Sequence, residues 1–129
     1  MMYVPDTHAL VWYIIGDTRL GQNALLALRD PSQRLVIPTI VLAEIRYISA
    51  RHRIPLTFEE AVRRIRSVLR GEIAPLDEEI IEAMPTMLEI HDAIICATAL
   101  VYSRRLRDSA VVITRDEAIT RSGLVQVVW

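Results

Sequence analysis

The sequence predicts an α/β protein, a three-layer α/β/α sandwich around a central parallel sheet. Short β-rich apolar runs alternate with helical runs along the chain, the order that builds parallel sheets covered by helices. The last such run, Val125 to Trp129, alternates little between apolar and polar residues, as expected of a parallel strand covered on both faces. The 129 residues contain no repeat, no low-complexity tract and no long linker, so a single domain over residues 1–129 is expected.

Met2, Tyr3 and Val4 read as a first strand that stops at Pro5 and Asp6, where proline removes a ladder donor. Thr7 to Ile15 is an apolar helix closed by Gly16, and Gln22 to Arg29 is a second helix carrying Leu25, Leu26 and Leu28. After Asp30-Pro31-Ser32, Leu35 to Ile37 form the second strand, and past Pro38 and Thr39 a helix runs from Ile40 to about Arg51. Thr57 and Glu60 have capping-box spacing and open a helix with Ala61, Ile65, Val68 and Leu69 inward, Arg63, Arg64, Arg66 and Arg70 largely outward, and Gly71 as its stop. Ile73 to Leu76 is a short strand, Glu78 to about Met84 a helix interrupted by Pro85, and Asp92 to Ser103 a strongly apolar helix. Ala110 to Thr114 is β-rich, a helical turn begins near Asp116, and Val125 to Trp129 is the final strand.

Hydrophobic residues make up 52% of the chain and charged residues 24%, far from the disordered class. No stretch approaches the ~20 apolar residues of a bilayer span, and the N-terminus lacks the basic flank and hydrophobic segment of a secretory signal, so a cytoplasmic location is expected and no membrane partner. Cys96 is the only cysteine and sits among Ile94, Ile95 and Ala97, the setting of a buried, inert thiol. The net charge of −1 excludes nucleic-acid binding through bulk positive charge, so any such binding needs a local patch.

In open parallel sheets the ligand crevice lies beyond the carboxyl ends of the strands. Asp6 follows Tyr3-Val4-Pro5 and Asp116 follows Val111 to Arg115, so both carboxylates should project from strand ends to one edge. Each also has a structural explanation as a helix N-cap, and Asp92, opening a helix, could equally be a cap or a favourable charge at the helix dipole. Glu44 differs, because it lies inside a helical run whose positions three and four away are Val41, Ile40, Tyr47 and Ile48, none of them basic. A carboxylate in that company needs a cation, either one of the arginines or a metal ion. A hard divalent ion such as Mg²⁺ suits an all-oxygen donor set, and no cysteine or histidine pair stands at zinc-like spacing.

At these residues the sequence resembles the PIN-domain family, and within it the VapC-type toxins of toxin-antitoxin pairs. Tyr3-Val-Pro-Asp-Thr-His-Ala-Leu-Val-Trp12, Ile37 to Ile45 around Glu44, His91 to Ala99 around Asp92, and Val112-Ile-Thr-Arg-Asp-Glu117 look like the family's four acidic segments in order, over essentially the whole chain. The resemblance implies that Asp6, Glu44, Asp92 and Asp116 form a catalytic metal site for one or two Mg²⁺ or Mn²⁺ ions, with Thr7 and Thr114 as supporting polar residues. It implies a metal-dependent endoribonuclease acting on RNA, a homodimer, and a cognate antitoxin that masks the site. Arg46, Arg51, Arg53, Arg104, Arg105 and Arg107 are candidate RNA-phosphate contacts, with solvated helix ends as the plain alternative. His8 and His91 beside the acids are expected to be structural, and Trp12 and Trp129 core or interface residues.

Receiver domains and haloacid-dehalogenase phosphatases also use strand-end aspartates with Mg²⁺, but normally with a lysine, and this chain contains none. A P-loop enzyme is excluded by the missing glycine-rich loop and lysine. The remaining alternative is a PIN-like scaffold that binds RNA or protein without cutting.

Overall fold

A computed structural model describes residues 1–129. In chain order the elements are β1 (Met2–Pro5), α1 (Thr7–Ile15), α2 (Gln22–Arg29), β2 (Arg34–Pro38), α3 (Thr39–Ala50), α4 (Phe58–Ser67), β3 (Glu72–Ala74), α5 (Glu78–Glu82), α6 (Ile90–Leu106), β4 (Ala110–Ile113), α7 (Glu117–Ser122) and β5 (Gln126–Val128). The five strands form one parallel sheet in the order β3-β2-β1-β4-β5, flanked by seven helices. The expected α/β sandwich with a parallel sheet is what the chain adopts.

The strand order determines where a ligand can sit. From β1 the chain steps outward to β2 and β3, then crosses back to lay β4 on the other side of β1 and continues to β5. Right-handed crossovers therefore place the helices preceding β3 on one face and the later ones on the other. In agreement, α1 packs on α2, α3 and α4, whereas α5 packs on α6. The direction changes between β1 and β4, whose register pairs Met2 with Ala110 and Pro5 with Ile113, and a crevice opens beyond the carboxyl ends of strands at such a point.

Burial anchors the strands at that point. Met2 and Val4 of β1, Val36 and Ile37 of β2, and Val112 and Ile113 of β4 are all wholly inaccessible to solvent, and burying each such aliphatic side chain contributes about 1.5–3 kcal/mol. Helix α6 is buried around most of its circumference from Ala93 to Ala99, as a helix through the middle of a domain must be. Thr98 satisfies its buried hydroxyl by donating to the Ile94 carbonyl at 2.8 Å. No helix is long and apolar enough to cross a membrane.

Several boundaries differ from the sequence reading. Helix α4 stops at Ser67 rather than Gly71, because the chain turns through Arg70 in the left-handed region, at φ 53°. Val68 consequently points outward, 62% exposed. Gly71 serves a close approach instead: a Cβ there would lie 3.0 Å from Ile65 Cγ2 and 3.2 Å from Ile37 Cγ1. Thr57 accepts from the Glu60 N–H at 3.2 Å as a capping box requires, but the Glu60 carboxylate turns to Arg63 at 3.6 Å. Helix α5 ends at Glu82, short of Met84. Helix α6 begins at Ile90 under a Glu89 cap and runs to Leu106, so it extends past both ends of the expected Asp92–Ser103. Strand β5 is parallel but sits at the sheet edge with Gln126 exposed, not covered on both faces.

Candidate metal centre

Asp6 continues β1 by donating its N–H to the Ile113 carbonyl of β4 at 2.9 Å, which ties it to both strands of the switch point. Its carboxylate caps α1, with Oδ1 accepting from the Ala9 N–H at 2.8 Å, while Oδ2 accepts from the Thr114 hydroxyl at 2.6 Å. The same Thr114 oxygen accepts from the Asp116 N–H at 3.0 Å. Thr114 is fully buried, so a single hydroxyl links the end of β1 to the turn after β4. Asp116 in turn caps α7, its Oδ1 accepting from the Ile119 N–H at 2.9 Å. The capping alternative for Asp6 and Asp116 is thus literally true, and in both cases the cap orients a carboxylate over the crevice.

Asp92 is not a cap. The Glu89 carboxylate takes that role by accepting from the His91 N–H at 3.0 Å, which leaves Asp92 in the first turn of α6 without a capping duty. Its pKa is pushed up to about 6, first by burial and then by the charges of Asp116, Glu89, Asp6 and Glu44. The other three predicted acids therefore all act on Asp92 through their fields, the behaviour of carboxylates sharing one pocket. Asp6 is likewise raised, by burial above all, with the Thr114 hydrogen bond as the largest opposing influence.

Glu44 projects from α3 into the same space. No arginine pairs with it, since Arg46, the nearest in sequence, turns to Glu59 at 3.6 Å. Asp6, Glu44, Asp92 and Asp116, drawn from four different segments, together line one cleft of roughly 620 Å³. Thr7 also lines it, 4% exposed, and its hydroxyl is the one buried side-chain polar atom without a hydrogen-bond partner. Six carboxylates face two guanidinium groups around this cleft, so its field favours a cation. The donors are all oxygen, which suits a hard divalent ion. As they stand, however, no three acidic, histidine or cysteine side chains converge closely enough to hold a metal. Asp92 has no side-chain hydrogen bond to fix its rotamer. The chemistry of the donor set fits a divalent ion, and the present spacing is looser than a closed coordination sphere.

The predicted arginines fare differently. Arg104 and Arg105 stand at the far end of α6, twelve and thirteen residues from Asp92 and so roughly 18 Å along the axis, and they are engaged with Glu79 and Asp77. Arg107 ends that helix in the left-handed region. Arg46 pairs with Glu59, and Arg51 stacks on Tyr47 with 3.4 Å to the ring centroid. Only Arg53 borders the acidic cleft's surroundings, in an apolar groove with Ile40, Tyr47 and Ile48 that shares Glu44 and His91 with the cleft. The arginines that do line the cleft are Arg115 and Arg121, which sequence reasoning missed. The signal was present: Arg115 stands between Thr114 and Asp116 at a strand end, and Arg121 is one helical turn from Glu117. Trp12 is buried, as expected, and packs edge-on against Trp129 with centroids 5.9 Å apart.

Comparison with known proteins gives a consistent picture. The PIN domain family matches residues 3–123, and no curated protein matches the chain. Among solved structures, the fold is similar to a chain of VapBC2 from Rickettsia felis bound to a DNA fragment from its promoter, with 17% identity and a TM-score of 0.72 over 99% of this chain and 98% of that one. It is also similar to a chain of VapBC-1 from nontypeable Haemophilus influenzae, with 20% identity and a TM-score of 0.62 over 99% and 97%. A toxin-antitoxin complex from Klebsiella pneumoniae matches with 22% identity and a TM-score of 0.63 over 98% and 96%. At these identities the likeness speaks for the fold.

Proposed function

The chain belongs to the PIN-domain family, and from that premise we propose that it is a metal-dependent endoribonuclease, the toxin of a toxin-antitoxin pair. The observation that carries the reading is the meeting of Asp6, Glu44, Asp92 and Asp116 in one cleft, where burial first, and then the neighbouring acids, raise the pKa of Asp92. These four side chains are the ones that would hold Mg²⁺ or Mn²⁺. When bound there, such an ion supplies Lewis acidity toward water and compensates negative charge at a phosphodiester. Thr114 fixes the Asp6 carboxylate in place, and the buried, unpartnered Thr7 hydroxyl lies in the wall of the cleft.

The partners proposed with this function are an RNA substrate, a cognate antitoxin and a second copy of the chain, with action in the cytoplasm. An antitoxin is supported by the neighbours of this fold, which were solved as toxin-antitoxin complexes. One observation favours the rival reading of a non-cutting scaffold, namely that the carboxylates do not converge on a closed metal site.

Incubation with labelled RNA separates the two. The nuclease reading expects cleavage in Mn²⁺ or Mg²⁺, none in chelator, and none with Asp92→Asn or Asp116→Asn. RNA binding that is indifferent to the ion, with no cleavage in either condition, establishes the scaffold instead.

A further inference from the structure

We propose that Arg115 is the residue that receives a backbone phosphate of the RNA substrate beside the acidic cluster, and that Trp129 is its positioning residue. The inference rests on the nuclease reading above. It begins from the charge problem that reading creates, since a polyanion must approach a cleft lined by six carboxylates and only two guanidinium groups. Phosphate contacts in nucleic-acid complexes come mainly from arginine and lysine, and this chain has no lysine.

Arg115 is exposed, lines the cleft, and enters no ion pair even though Asp116 and Glu117 follow it in the chain. Instead its guanidinium lies over the Trp12 ring, 4.7 Å from the centroid, and 5.9 Å from that of Trp129. A guanidinium lying over indole keeps its full charge, and one that enters no ion pair keeps its N–H donors for the oxygens of a phosphate. The neighbouring Arg19 provides the contrast. It also lies on Trp12, at 4.5 Å, but it is paired with the Asp17 carboxylate, to which its Nε and one terminal nitrogen donate, the latter at 2.7 Å.

The platform beneath Arg115 is held in place. Trp12 is 4% exposed and Trp129 meets it edge-on. Trp129 itself is seated against Gly21, where a Cβ would stand 2.5 Å from the Trp129 carbonyl carbon and 2.6 Å from its Cδ1. A residue more than a hundred positions from Trp12 thus completes the surface on which the arginine rests. Because phosphate contacts carry no base information, this device acts on affinity and register and leaves sequence preference to other groups.

The test uses the Asp92→Asn protein in Mg²⁺, so that a fluorescent single-stranded RNA stays intact, and reads binding by anisotropy over a range of salt concentrations. Arg115→Ala is expected to weaken binding about tenfold and to reduce the slope of log K against log salt by about 0.7, the loss of one phosphate contact on a single strand. Arg115→Lys keeps the charge and restores the slope but only part of the affinity. Trp129→Leu, checked for a native circular dichroism spectrum, weakens binding with the slope unchanged, and Arg19→Ala leaves both unchanged. Equal affinity and slope for Arg115→Ala and its parent overturn the proposal while leaving the nuclease reading intact. Cutting of the RNA by the Asp92→Asn protein overturns the four-acid metal centre on which the nuclease reading rests, and failure of that protein to bind the RNA at all overturns the proposal for Arg115.

Discussion

Replacing Asp92 by asparagine should stabilise the protein when chelator is present. In the folded chain its carboxyl sits at about 6 because of burial and the surrounding acids, against roughly 3.9 in an unfolded chain. The charged form is therefore disfavoured by the fold by up to about 3 kcal/mol. The group is partly open to solvent, and screening reduces this to about 1–2 kcal/mol, or about 3–8 °C in melting temperature for a domain of this size. For a carboxyl raised by the fold, the associated stability is fully present below about pH 4 and is lost as the pH rises through about 6. The advantage of Asp92→Asn over the parent should thus be largest above neutrality and close as the pH falls toward 4. Differential scanning calorimetry in chelator at several pH values measures it directly. An asparagine variant that melts at or below the parent temperature at pH 7.5, or a difference that does not narrow in acid, refutes the argument that the fold disfavours the charged Asp92 carboxylate.

Thr114→Val keeps the side-chain shape but removes the donor to Asp6 and the acceptor for the Asp116 N–H. Urea denaturation should show a loss of about 1–3 kcal/mol, and RNA cleavage should fall with it. Cys96 is wholly buried and its thiol is pushed up to about 12, mainly by burial, so alkylation at pH 8 should be negligible until denaturant is added. Gly21→Ala drives a Cβ into Trp129 and should cost about 1–3 kcal/mol, accompanied by a change in tryptophan emission.

The features legible in the sequence were those with local causes. Gly16, at φ 73°, ends α1 where an apolar run gives way to a residue able to adopt the left-handed region. The acids after β1 and β4 were likewise readable, since strand ends and caps are local patterns. What was not legible depends on contacts distant in sequence. Gly71 looks like a helix stop until Ile37 and Ile65 are seen pressed against it. Glu89 displaces Asp92 as the cap of α6 by adding a turn of helix, although local preference at a cap favours aspartate. The arginines were misjudged for the same reason. Clusters such as Arg104, Arg105 and Arg107 are conspicuous in sequence, yet they stand at the opposite end of α6 from Asp92, whereas the solitary Arg115 gains its place from Trp12 and Trp129.

The hydrogen bond between Thr114 and Asp6 spans 108 positions of the chain, and this bears on how the protein is made. A growing polypeptide can form β1, α1 and β2 early, but Asp6 waits for its partner hydroxyl, and the pocket for Asp116, until β4 has been synthesised and inserted beside β1. Any chemistry that needs all four acids is therefore withheld during translation. The four carboxylates come to share one cleft only once residue 116 has been made and folded back beside β1.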